Sequence, residues 1–219
     1  MLKYPVTFFI VIFTMAISFS QNNSISFLAL GDSYTAGTGE SKVNSWPLQF
    51  VHQSQKKKID VKPFKVLAKA GWTTTDLLSA IQAEQLEPNY DRVGLLIGVN
   101  NQYKGIDFEV FEKEFPLLLN KSIQMANGNP KNVFVLSIPD WSVTPFARFK
   151  DKAKIVQELK AYNTLIEKEA KKQGATFIEI TKMSRNALVN PSLIASDSLH
   201  PSKKMYRMWV KKINKKLFK

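Results

Sequence analysis

The sequence predicts an α/β fold in which a parallel sheet is covered by helices on both faces. Two observations carry that expectation. Short apolar runs of strand character alternate along the chain with amphipathic helical stretches. No internal repeat, low-complexity linker or break in composition divides them, so the alternation belongs to a single domain.

The strands, in order, are residues 25–30, 61–68, 93–97, 133–137 and 176–180. The third, fourth and fifth are short and apolar, as strands buried on both faces should be. A first helix falls around Phe50, Val51 and Gln53, with His52 among them, structural or exposed. Phe111, Phe115, Leu118, Leu119 and Ile123 mark the apolar face of another. Ile155, Leu159, Tyr162, Ile166 and Ala170 mark a further one, with Gly174 where it should stop. After Pro201 a last helix carries Met205, Trp209, Ile213 and Leu217 every four residues, and its other faces are rich in lysine. Strand–helix–strand succession of this kind builds a parallel sheet.

The N-terminus stands outside this pattern. Lys3 precedes an apolar run over residues 6–17, broken only by Thr7 and Thr14. Ser18-Phe19-Ser20 then places small residues three and one before a cut at Gln21. Charge, short apolar core and small-residue exit read as a secretory signal peptide over residues 1–20. The run is shorter than the ~20 residues of a spanning helix, which disfavours an uncleaved anchor. Residues 21–219 then form the one domain, exported to the cell envelope or beyond.

Of the 219 residues, 31 are Lys or Arg and 18 Asp or Glu, a net charge of +13. Much of it lies in Lys56-Lys57-Lys58 and in the tail 211–219. Solvated surface is the plainer reading, and weak association with anionic polymers or lipids the sharper one. No nucleic-acid-binding module is recognisable. With no cysteine and two histidines, a thiol nucleophile, a Cys-based zinc site and a His-rich metal site are all disfavoured.

Ligands of open parallel sheets bind beyond the carboxyl ends of the strands. Gly31-Asp32-Ser33 follows the first strand, Gly71-Trp72-Thr73 the second and Gly98-Val99-Asn100-Asn101 the third. Ile138-Pro139-Asp140-Trp141 follows the fourth, and a loop with Asp197 and His200 comes beyond the fifth. The distinctive polar and glycine residues thus gather on one edge. Each alone is an ordinary turn feature, and the ordered set is what points to chemistry.

A serine hydroxyl needs a base within hydrogen-bond reach. His200 is the base available to Ser33, and Asp197 is placed to fix its tautomer. Asn100 offers a side-chain amide for a developing oxyanion, and Gly71 and Ser33 offer backbone N–H groups. This scheme needs no metal. No Gly-x-Ser-x-Gly elbow is present, and Gly37 and Gly39 are not followed by the Lys-Ser/Thr of a phosphate loop.

Over essentially the whole of residues 21–219 the chain resembles the SGNH hydrolases, the GDSL-type esterases and lipases. Gly31-Asp32-Ser33-Tyr34 looks like the first family block, Gly71 the second, Gly98-Val99-Asn100-Asn101 the third and Asp197-x-x-His200 the fifth. Tyr34 stands where many members have leucine, and Asn101 where Asp is usual. The resemblance implies a three-layer, flavodoxin-like α/β/α sandwich. It also implies cofactor-free ester hydrolysis through an acyl-enzyme intermediate.

Tyr34, Trp72, Tyr103 and Trp141 are expected near the site, lining it or belonging to the core. Short acyl esters, carbohydrate acetyl groups and lysolipids are the substrate classes that remain. The alternative is a non-catalytic module on the same fold, binding envelope polymers through its basic surface.

Overall fold

The computed structural model describes residues 24–86 and 88–218, so the signal-peptide expectation for residues 1–20 lies outside the described residues. The sheet has five parallel strands, β1 (Ser24–Gly31), β2 (Asp60–Ala68), β3 (Arg92–Leu96), β4 (Val133–Leu136) and β5 (Thr176–Ile178), in the order β2-β1-β3-β4-β5. Helices cover both faces. They are α1 (Ser33–Ala36), α2 (Trp46–Lys56), α3 (Thr74–Ala83), α4 (Val99–Tyr103), α5 (Phe108–Met125), α6 (Lys152–Gln173), α7 (Thr181–Ser184) and α8 (Lys203–Leu217). On one face α2 packs on α8, while α5 packs on both α3 and α6. This is the predicted three-layer α/β/α sandwich.

The apolar runs become strands because both of their faces are covered. Phe27, Leu28, Ala29 and Leu30 of β1 and all of β4 are fully buried. Phe27 stacks on Phe134 across the sheet, and the Trp46 and Phe50 rings of α2 close over both. α6 ends at Gly174 in the left-handed conformation, as its sequence position suggested. β5 departs from expectation. It stops at Ile178 and is an edge strand, so Thr176 and Phe177 are only half-buried. With a single neighbour it needs fewer apolar side chains.

The strand order fixes where a ligand can sit. β1 lies between β2 and β3, and the chain leaves it first toward β2 and later toward β3. The loops leaving β1 and its two neighbours therefore open a crevice at this switch point. Those loops carry Ser33, Gly71 and Asn100.

Candidate active site

Ser33 is the first residue of α1, a single turn that begins as soon as β1 ends. Asp32 caps it by accepting the Tyr34 N–H at 3.0 Å, and Gly37, in the left-handed region, ends it. At such a position the Ser33 N–H has no intrahelical acceptor and is free for a ligand. Asp32 itself is fully buried and its Oδ2 has no partner among the described residues. Burial pushes its carboxyl up to about 7, against the pull of the Tyr34 N–H.

Gly71 has a left-handed backbone, and no atom lies within 4 Å of where a Cβ would stand. Its carbonyl accepts from Lys104 Nζ at 2.8 Å, which anchors the loop and leaves the N–H side open. Asn100, on α4, donates through Nδ2 to the Trp72 carbonyl at 2.9 Å. That bond orients the amide and uses one of its two N–H groups. Asn101, fully buried, accepts the Thr74 N–H at 3.0 Å and donates to the Thr74 hydroxyl at 2.8 Å. An amide serves there where a carboxylate could only accept, and it ties α4 to the start of α3.

His200 and Asp197 lie on a closed turn. The Ala195 N–H bonds the His200 carbonyl at 2.8 Å, and Ile194 pairs with Pro201. Asp197 Oδ1 accepts the N–H groups of Leu199 and His200, at 3.0 and 2.9 Å, while Oδ2 lies 2.6 Å from His200 Nδ1. Burial pulls the Asp197 carboxyl up. The two backbone N–H groups and the imidazole more than offset it and hold the carboxyl below the usual range. Gly39 completes this corner, since its absent Cβ would stand 2.4 Å from Asp197 Oδ2.

These loops enclose a pocket of about 170 Å³ whose lining includes Ser33, Gly71, Asn100 and His200. Asp197 stands behind His200. The His200 imidazole bonds Asp197, and no hydrogen bond among the described residues joins it to Ser33. Contacts of that kind commonly tighten only around substrate.

Of the aromatic residues expected here, Tyr34, Tyr103 and Trp141 line the pocket. Tyr34 is buried, its ring edge-on to His200 and Trp209. Trp141 donates to Gln102 Oε1 at 2.9 Å, and Gln102 in turn donates to Glu158. Trp72 does not line it: the side chain packs on the core and only the carbonyl serves the site, through Asn100.

Sequence reading missed Phe146, which stands against both Tyr103 and Trp141. Its N–H bonds the Ser198 carbonyl at 3.0 Å and so joins the loop beyond β4 to the histidine turn. The only local signal was an apolar residue just beyond the Trp141 loop.

A family model described as GDSL-like lipase/acylhydrolase matches residues 29–208. No curated protein matches significantly. Among solved structures, the psychrotrophic esterase EstA from Pseudoalteromonas sp. is similar at 17% identity and a TM-score of 0.64, covering 88% of this chain and 96% of that one. TesA is similar at 14% identity and 0.69, covering 88% and 98%. The acetyl xylan esterase AlAXEase is similar at 20% identity and 0.67, covering 86% and 98%. At such identities the likeness establishes the fold alone.

Proposed function

The chain belongs to the GDSL-like lipase/acylhydrolase family, and from that premise we propose that it is an exported serine esterase acting on esters of short acyl groups. The observation that carries this reading is the shared pocket of Ser33, His200, Gly71 and Asn100, with Asp197 bonded to His200 from behind.

In this reading Ser33 Oγ attacks the ester carbonyl carbon and passes its proton to His200 Nε2. The new C–O⁻ is held by the N–H groups of Ser33 and Gly71 and by the free N–H of Asn100. Collapse breaks the bond to the alcohol oxygen, which leaves with the proton from His200, and Ser33 keeps the acyl group. Water then attacks the acyl-enzyme, giving one proton to His200. Ser33 recovers that proton as the carboxylic acid departs. Asp197 accepts the His200 Nδ1–H throughout and stabilises the imidazolium.

The size of the pocket supports a short acyl group. About 170 Å³ is close to the roughly 150 Å³ that takes a benzene molecule. Tyr103, Trp141 and Phe146 at its wall suit an apolar acyl chain of a few carbons or the face of a sugar. The acetyl xylan esterase among the fold relatives makes carbohydrate acetyl groups the first natural substrates to try. Export rests on the sequence of residues 1–20. Among the described residues no helix is long and apolar enough to cross a membrane.

The test is hydrolysis of p-nitrophenyl esters from acetate to long chain by the wild type and by Ser33→Ala. Turnover of the short esters, lost in the variant, is the expected result, with a fluorophosphonate labelling only the wild type. Undiminished hydrolysis by Ser33→Ala overturns the assignment. An unreactive wild type that also resists the fluorophosphonate favours the binding module.

A further inference from the structure

We propose that the groove between α2 and α8 binds a linear polyanion, and that this site is separate from the ester chemistry and independent of it. The groove has a volume of about 740 Å³. His52 and Lys56 of α2, with Lys57 just beyond its end, line one side and Lys203, Arg207 and Lys211 of α8 the other. Among the described residues no acidic side chain lines it.

The spacing is regular. Lys203, Arg207 and Lys211 recur every fourth residue, so they form one stripe along the helix, about 12 Å long at the rise of an α-helix. His52 and Lys56 repeat the same interval on the facing helix. All of these side chains are exposed, and none of the five lysines and arginines makes an ion pair among the described residues. Glu40, close to the head of the groove, is taken up by the Lys203 backbone N–H and the Asn44 amide.

Other helices treat their lysines differently. Lys113 pairs with Glu109 on α5, and on α6 Lys154, Lys171 and Lys172 pair with Glu158, Glu167 and Glu169. Neither α2 nor α8 contains an Asp or Glu. Like charges four apart weaken a helix, so stability does not account for the stripe. Cations gathered along a concave groove concentrate anions there.

The shape selects the kind of partner. Charges facing each other across a groove surround a chain, whereas a flat bilayer surface would meet only the rims. The fitting ligand is a single polymer strand bearing carboxylate, sulfate or phosphate groups at short intervals. Its head end would lie beside the catalytic turn, since Lys203 follows His200 by three residues.

The experiment measures binding of fluorescent heparin and of inorganic polyphosphate by anisotropy, at low and at physiological salt, to the full domain. The wild type should bind both, and salt should weaken the binding. Arg207→Glu/Lys211→Glu should weaken it by about tenfold or more, and the neutral pair Arg207→Gln/Lys211→Gln by an intermediate amount. Lys160→Glu/Lys168→Glu on α6 makes the same charge change on two exposed lysines that make no ion pair among the described residues, and should leave binding nearly intact. Circular dichroism establishes that each variant is folded. Equal losses from both reversed pairs would mean that net charge alone attracts the polymers and would overturn the groove. So would a wild type that ignores both polymers, or one that binds only phosphatidylglycerol vesicles. A preference between heparin and polyphosphate would identify the acid group that the groove favours.

Discussion

Oδ2 of Asp197 stands 2.6 Å from Nδ1 of His200 while Oδ1 of the same carboxylate is held by two backbone N–H groups. The two oxygens are therefore not interchangeable. In Asp197→Asn the amide oxygen is claimed by the N–H groups of Leu199 and His200, which need an acceptor. The NH₂ group then faces His200 and stabilises the tautomer with its proton on Nε2, which cannot take the proton of Ser33. The expected result is a fall in kcat on the order of 10³–10⁴ with KM little changed. The Asp197 side chain is 32% exposed, so stability should move by less than about 1 kcal/mol. Steady-state kinetics and a thermal melt check both halves.

Gly39 ties the first loop to this acid. A methyl group there would stand 2.4 Å from Asp197 Oδ2 and 2.8 Å from its Cγ, on a backbone with φ of 83°. Gly39→Ala should push the carboxylate off the imidazole and lower kcat by about tenfold or more, besides a left-handed strain of about 1–2 kcal/mol. The check is a double-mutant cycle. If the effect runs through the carboxylate, Gly39→Ala should cost little further activity once Asp197 is Ala. Additive losses would place the effect elsewhere.

Asn100→Ala removes the one side-chain donor proposed for the oxyanion, and also the bond that orients it against the Trp72 carbonyl. The expected loss in kcat is about 10²–10³. Fluorophosphonate labelling of Ser33 should slow with it, because that adduct also places an oxygen among the donors. Wild-type labelling rates would remove Asn100 from the proposed role.

The sheet was legible because its strands lie between helix layers. Their apolar runs are bounded by turn residues, and the ends of β1 to β4 fall within one residue of where the sequence placed them. β5 was less so: it ends two residues short of the expected end, where the polar Glu179 follows Ile178 and binds the Lys182 N–H. Ser33, Gly71, Asn100, Asp197 and His200 could be picked out because each follows a strand end or a turn with a chemical reason to be there. Gly39 and Phe146 could not, since each matters only through a partner distant in sequence. Trp72 shows the same limit. A loop sequence does not say whether its side chain or its carbonyl will face the site.

The carboxyl group preceding the proposed nucleophile gives a prediction about stability. Asp32 is fully buried, its Oδ2 has no partner among the described residues, and burial pushes its carboxyl up to about 7 from an ordinary 3.8. The native state therefore holds a proton that the unfolded chain gives up above about pH 4. Stability must fall as pH rises from about 4 to about 7 and level off above, by on the order of 4 kcal/mol at most. Asp32→Asn keeps the capping oxygen for the Tyr34 N–H and carries no charge at any of these pH values. Its amide inherits the same buried position as Oδ2, so near pH 4 the variant should be no more stable than the wild type. Its advantage should grow steadily up to about pH 7. Urea unfolding of both proteins at pH 4.5, 6 and 8, values spanning about that interval, reads the slope directly. A stability difference that stays constant across these three points would mean that Asp32 is ionised in the native state and paired by a group other than the Tyr34 N–H.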